Sequence, residues 1–257
     1  MKRNVILYVQ SLVCIFLASC YTLSAQVSKL HAEYELYLLV GQSNMAGRGE
    51  ITEVDTLSHP RVFALAKNDK WTVANEPLHY DKENRGVGPG LTFGKTMADM
   101  NPDVKIGLIP AAVGGTKISY WEPGNERGLY EEALRKAKIA MESGRLKGII
   151  WQQGESDSNE KDAPLYKERL IRLMKSFRKD LGKEEVPIVF GGLGDFLKSK
   201  KFHIVNNALK DAADELPNVA FSEASKLGHI GDRLHFNAEA QHENGVNMAK
   251  AMRTLIE

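Results

Sequence analysis

Past residue 20 the sequence contains no cysteine. Its two, Cys14 and Cys20, both lie in the first twenty positions, so the body holds neither a disulfide framework nor a cysteine-ligated metal site. An excess of charge is missing as well. The 257 residues carry 34 Lys and Arg against 33 Asp and Glu, a net +1, which leaves no electrostatic footprint for nucleic acid or an anionic membrane surface. Long hydrophobic runs are also lacking: beyond the N-terminal region no stretch is apolar enough to cross a membrane. No repeat, low-complexity tract or linker marks a second domain. A chain 43% hydrophobic and 26% charged is globular rather than disordered or fibrous.

What is present begins with a leader. Met1-Lys-Arg-Asn4 is a short basic start, followed by the apolar run Val5 to Ala18, broken only by Gln10 and Ser11. That run falls short of the ~20 residues a membrane-spanning helix needs and matches a secretory signal peptide; the other reading is a buried N-terminal helix. Two exits compete. Leu17-Ala-Ser-Cys20 resembles a bacterial lipobox, which removes residues 1–19 and leaves a lipid anchor on Cys20. Leu23-Ser-Ala25 is an ordinary signal-peptidase site, which removes residues 1–25. Lys2 and Arg3 leave either way, taking the net charge to −1. The expectation is one exported domain over residues 26–257, periplasmic, extracellular or lipid-anchored, with no transmembrane segment and no nucleic-acid partner.

In the body, short apolar runs alternate with helical patterns. Leu36–Val40, Val104–Ile109, Gly148–Trp151, Pro187–Phe190 and Val219–Phe221 read as strands, and their near-continuous apolar character suits a parallel sheet covered on both faces. Leu134, Ala137 and Met141 share one helical face that stops at Gly144, a C′ residue. Asp162 caps the next helix, with Pro164 in its first turn and Leu170, Met174, Phe177 and Leu181 facing inward. Phe202, Val205, Leu209 and Leu216 form another stripe, and Asn237 starts a last helix docked by Val246, Ala249 and Ile256. The alternation predicts an α/β fold, a three-layer α/β/α sandwich on a mostly parallel, flavodoxin-like sheet. Arg48 to Arg85 is a long excursion with a short strand at Val62–Ala66.

Ligands of open α/β sheets bind outside the carboxyl ends of the strands, and four polar stretches fall there. Gly41-Gln-Ser43-Asn-Met-Ala-Gly47 puts a serine on a tight turn opening a helix, where its hydroxyl is exposed and backbone N–H groups can hold an oxyanion; the alternative is a helix cap. The turn differs from the G-x-S-x-G elbow, because position 45 is Met. Gly114-Gly-Thr116 lets backbone approach a ligand or is simply a turn. Trp151-Gln-Gln153-Gly-Glu155-Ser-Asp157 places two amides and two acids after an apolar run, costly unless they serve a site or a hydrogen-bond network. In Asp232-Arg-Leu-His235 the carboxylate can accept from imidazole Nδ1, leaving Nε2 for a serine; the alternative is a surface histidine.

These blocks, Gly41-Gln-Ser-Asn44, Gly114-Gly-Thr116, Gln153-Gly-Glu-Ser-Asp157 and Asp232-Arg-Leu-His235, resemble those of the SGNH-like hydrolases, in the sialate O-acetylesterase and carbohydrate esterase family 6 branch. Pro77-Leu-His-Tyr-Asp81 and Gly86-Val-Gly-Pro-Gly90 are similar to the acetylxylan-esterase-type members. The resemblance spans the whole body in the right order. It implies a metal-free and cofactor-free serine esterase acting on acetylated carbohydrate. Ser43 is then the nucleophile, His235 the general base, and Asp232 or Glu155 the orienting acid. The N–H groups of Ser43 and Gly115 and the Gln153 side chain form the oxyanion hole. Acetylated xylan or a related plant polysaccharide is the expected substrate, with O-acetylated sialic acid the alternative. Arg48 or Arg85 would then meet the sialate carboxylate, unless both are surface charges. Tyr80, Tyr120 and Trp121 either face a sugar ring or belong to the core. A rival of another class, a non-catalytic glycan-binding protein, calls for a lost nucleophile or base, and Ser43 and His235 are both present. Lipid or thioester deacylation needs an apolar loop beside the site, and the sequence has none.

Overall fold

A computed structural model describes residues 34–257. The N-terminal apolar run, both cysteines and both expected cleavage positions lie outside the described residues. Seven strands, β1 (Tyr34–Gly41), β2 (Val62–Leu65), β3 (Trp71–Val73), β4 (Lys105–Pro110), β5 (Gly144–Gln152), β6 (Ile188–Gly191) and β7 (Val219–Ser222), form one sheet in the order β3-β2-β4-β1-β5-β6-β7. Every pairing is parallel except that of the edge strand β3 with β2. The helices are α1 (Ser43–Ala46), α2 (Pro89–Met100), α3 (Leu129–Met141), α4 (Tyr166–Asp180), α5 (Phe202–Glu215) and α6 (Ala238–Ile256).

The central strand explains the layering. In β1, Leu36, Leu38 and Val40 pack with α3, α4 and α5, while Tyr37 and Leu39 point to the opposite side with α2 and α6. Both faces of the strand are covered, which is why its sequence reads as a continuous apolar run. Burying each such leucine contributes roughly 1.5–3 kcal/mol, so the middle of the sheet is the rigid frame from which the loops hang. This is the three-layer sandwich that the alternation predicts.

Local expectations are corrected at two places, one helix goes unforeseen, and one open alternative is resolved. Gly144 does not terminate α3; it is the first residue of β5, where a Cβ would meet the Tyr34 carbonyl oxygen at 2.3 Å. Asp162 precedes a short 3-10 turn over Ala163–Leu165 and makes no side-chain cap; its carboxylate instead pairs with Lys117 at 2.6 Å. The helix α2 escapes the sequence pattern because Gly90 and Gly94 lie inside it, each costing about 1 kcal/mol of helix propensity. Both positions allow close packing on the sheet: Cβ atoms there would come within 2.7 Å of Leu39 Cδ1 and 2.9 Å of Leu108 Cδ1. Of the two readings of Trp121 the core one holds: it is fully buried, edge-on to Trp151 and bonded through its indole N–H to Thr116. It is core and offers no face to a sugar. Asn237 does cap α6, its side chain accepting from Ala240 N.

Candidate active site

Neighbouring strand ends bring the polar stretches together. At the end of β1, Gly41 has φ +137°, and a Cβ there would lie 2.0 Å from the Gln152 oxygen. Glycine thus lets β1 run hard against β5 and turn at once into α1, whose first residue is Ser43. Position 43 is therefore not the cap of that helix. The loop between β7 and α6 returns over the same edge and carries Asp232 and His235.

His235 Nε2 lies 3.1 Å from Ser43 Oγ, and His235 Nδ1 lies 2.6 Å from Asp232 Oδ2. The other Asp232 oxygen accepts the N–H groups of Leu234 and His235, both at 2.9 Å. Burial acts to raise the Asp232 pKa, but those backbone bonds and the imidazole outweigh it and hold the carboxyl below its ordinary value. An ionised carboxylate only accepts, so Nδ1 carries the proton and Nε2 is left to accept from the serine hydroxyl.

Glu155 sits elsewhere. One of its oxygens takes the Asn44 amide, and Oε2 is buried without a partner. Burial pushes its pKa up to about 7, against the opposing pull of the Asn44 bond. It borders the same cavity of about 360 Å³ as Ser43, Gly115 and His235, yet its hydrogen bond goes to Asn44 while the imidazole is held by Asp232. Gln153 does not reach that cavity. Its Nε2 faces three acceptors: Gln42 Oε1 at 3.0 Å, the Thr116 carbonyl at 2.8 Å and Asp157 Oδ2 at 2.6 Å. A carboxamide has two hydrogens, so both are committed behind the wall. Gln42 lines the cavity in its place.

The two arginines differ in their surroundings, and Arg48 lines the cavity. Arg48 is buried and paired with Asp81 at 2.6 Å, and the same carboxylate oxygen accepts the Gly114 N–H at 2.9 Å. Its charge is spent on bracing the Gly114 loop and is no surface charge. Arg85 donates to the Lys82 carbonyl at 3.0 Å and lies 6.0 Å from the Tyr80 ring. Tyr120 is covered by Arg127 at 3.8 Å, and Tyr80 remains exposed. Asn44, Gln42 and Asp81 stand in the quoted blocks, but nothing in residue type or spacing reveals their partners, which the fold supplies from distant segments. Among the described residues no group of three or more His, Cys, Asp and Glu is placed to hold a metal, and no helix is long and apolar enough to cross a membrane.

A parallel three-layer sandwich with these loops at its carboxyl edge has the architecture of the SGNH-type hydrolases. The chain belongs to the carbohydrate esterase, sialic acid-specific acetylesterase family, whose model matches residues 33–254, and it is a carbohydrate acetylesterase. A probable carbohydrate esterase of Arabidopsis thaliana is 31% identical over 244 residues, covering 84% of this chain and 89% of that one. A solved Arabidopsis thaliana protein superposes with a TM-score of 0.81 at 30% identity, over 88% of this chain and all (100%) of that one. The fold also matches a carbohydrate acetylesterase from Xanthomonas citri, with a TM-score of 0.67 at 17% identity over 86% of this chain and 56% of that one.

Proposed function

We propose that this chain is a serine esterase that removes O-acetyl groups from carbohydrate through an acyl-enzyme, with Ser43 as nucleophile, His235 as general base and Asp232 as the orienting acid. The observation that carries the reading is the chain of two contacts, Ser43 Oγ to His235 Nε2 at 3.1 Å and His235 Nδ1 to Asp232 at 2.6 Å. His235 takes the serine proton as Oγ attacks the acetyl carbonyl, and the N–H groups of Ser43 and Gly115 receive the oxyanion. The sugar alkoxide leaves with the proton held by His235. Water, deprotonated by the same imidazole, then releases acetate. Gln153 enters this scheme as the brace behind Gln42.

The substrate in this reading is acetylated xylan or a related plant polysaccharide. O-acetylated sialic acid is the second reading, favoured by the family to which the chain belongs; Arg48 lines the cavity beside Ser43, though its guanidinium is already paired with Asp81. Export through the N-terminal leader, ending at Ala25 or at Cys20, belongs to the same proposal. Acetate release from acetylxylan oligosaccharides beside O-acetyl sialic acid tests the substrate, and preference for the second reverses the order. Ser43→Ala tests the chemistry: retention of most p-nitrophenyl acetate hydrolysis would sink it. Binding of acetylated glycan with no acetate released would make the chain a glycan-binding protein.

A further inference from the structure

Asn44 and Glu155 have no task in that reaction, yet they join its two halves. Asn44 follows the serine and is 1% exposed. Its Oδ1 accepts the Phe236 N–H at 3.1 Å, and its Nδ2 donates to the Leu234 carbonyl at 3.1 Å. Those are the backbone groups on either side of His235. The same Nδ2 donates to Glu155, and the Asn44 carbonyl accepts from Gln241 Nε2 at 3.0 Å. Three segments, after β1, after β5 and before α6, thus meet on one side chain.

The loop before α6 is anchored by the buried Phe236 ring, edge-on to Phe196, but Asn44 is the residue that ties its backbone on both sides of His235 to the Ser43 turn. Leu234 is exposed, Arg233 has φ +57°, and an isolated bridge between His229 and Phe236 is its one ladder contact. The orientation of the Asn44 carboxamide is therefore decisive. Its terminal torsion is soft and roughly two-fold, and a flip would set NH₂ against the Phe236 N–H and oxygen against the Leu234 carbonyl. Glu155 offers a carbonyl or carboxylate oxygen to Nδ2 and so selects the productive orientation. Burial in a poorly screened setting strengthens that choice.

We propose that Asn44 and Glu155 form a positioning pair that fixes His235 against Ser43, with Glu155 acting through the Asn44 amide and not on the imidazole. This rests on the reading of Ser43 and His235 as nucleophile and base. A misplacement of about 1 Å is enough to cost on the order of 10²-fold in rate. Asn44→Ala and Glu155→Ala should each lower kcat for p-nitrophenyl acetate by roughly that factor with KM nearly unchanged. Glu155→Gln, which keeps an acceptor oxygen for Asn44, should restore most of the activity. The double variant Asn44→Ala/Glu155→Ala should lose little more than either single, because both act through one linkage. In Asn44→Ala the downfield Nδ1 proton resonance of His235 should persist, since Asp232 still holds it; a variant that had merely unfolded would lose it. Full additivity in the double variant, or Glu155→Gln as inactive as Asp232→Asn, would overturn the proposal, the latter by making Glu155 the orienting acid. Hydrolysis surviving in Ser43→Ala would instead remove the reading on which it rests, so the two failures are distinct.

Discussion

Two of the loops that border the cavity carry Asp232 and Glu155, and the two carboxyls are shifted in opposite directions. Asp232, on the half-exposed loop before α6, accepts two backbone N–H groups and the imidazole and is held below its ordinary pKa. Glu155, on the buried loop after β5, has one partner and an oxygen with none, and is pushed up to about 7. Residue type does not separate them; burial strips more water from Glu155, and the hydrogen bonds it receives do not offset that loss, whereas at Asp232 they do. The carboxyl held low can orient and stabilise an imidazolium, whereas the one pushed up accepts from a neighbouring amide.

The widest gap should appear in turnover. Asp232→Asn leaves the loop in place but offers the wrong hydrogen-bond partner to Nδ1, and should lower kcat on the order of 10⁴-fold, as in serine proteases. Glu155→Gln, measured beside it, should differ from wild type by about tenfold at most. Equal losses in the two would erase the contrast. A third acid extends the comparison to stability. Asp81 is also buried but lies against Arg48, and the two side chains are 0% and 4% exposed. Removing one partner of such a pair costs about 3–5 kcal/mol, because the other is left charged and buried. Asp81→Ala should show this in urea unfolding, and should also loosen the Gly114 turn whose N–H it accepts.

The frame of this site is legible in the sequence because a strand covered on both sides must be apolar throughout; β1, β4, β5 and β6 declare themselves in this way. The positions of Ser43, Asp232 and His235 follow from the same rule, since polar stretches directly after such runs fall on one edge of a parallel sheet. Which of two neighbouring amides faces the cavity is not legible. Gln42 and Gln153 differ only in what the fold sets behind them, namely Thr116 and Asp157 against Gln153. Arg48 and Asp81 stand 33 positions apart, and no periodicity links them. Trp121 reads equally as a sugar platform or as core until Trp151 is seen against it. The glycines of α2 mask a helix because close packing, and not propensity, selects them there.

The pH dependence of stability gives a smaller test. Glu155 is raised above its ordinary glutamate value of 4.5 to about 7, so between those values the folded protein holds a proton that the unfolded chain has released. Stability from this group is therefore lost as pH rises through that window. Asp232 is lowered, so its contribution is lost as pH falls below the ordinary carboxylate range, about pH 4. Thermal melting of Glu155→Gln should lie flatter than wild type between about pH 5 and 7, and that of Asp232→Asn flatter on the acid side. Slopes of the same sign for both groups would mean that their environments are alike. The smallest effect belongs to the end of the Asp232 loop. Asn237 caps α6 by accepting the Ala240 N–H at 2.8 Å, and Asn237→Ala should cost about 1 kcal/mol. That loss should fall on the half-exposed loop first, and amide exchange should quicken at Leu234 and His235 before it does at Gly154 or Ser156. Equal quickening in the two loops would show that the buried segment and the His235 segment open as one unit, and that the difference between their carboxyls does not extend to the backbone that carries them.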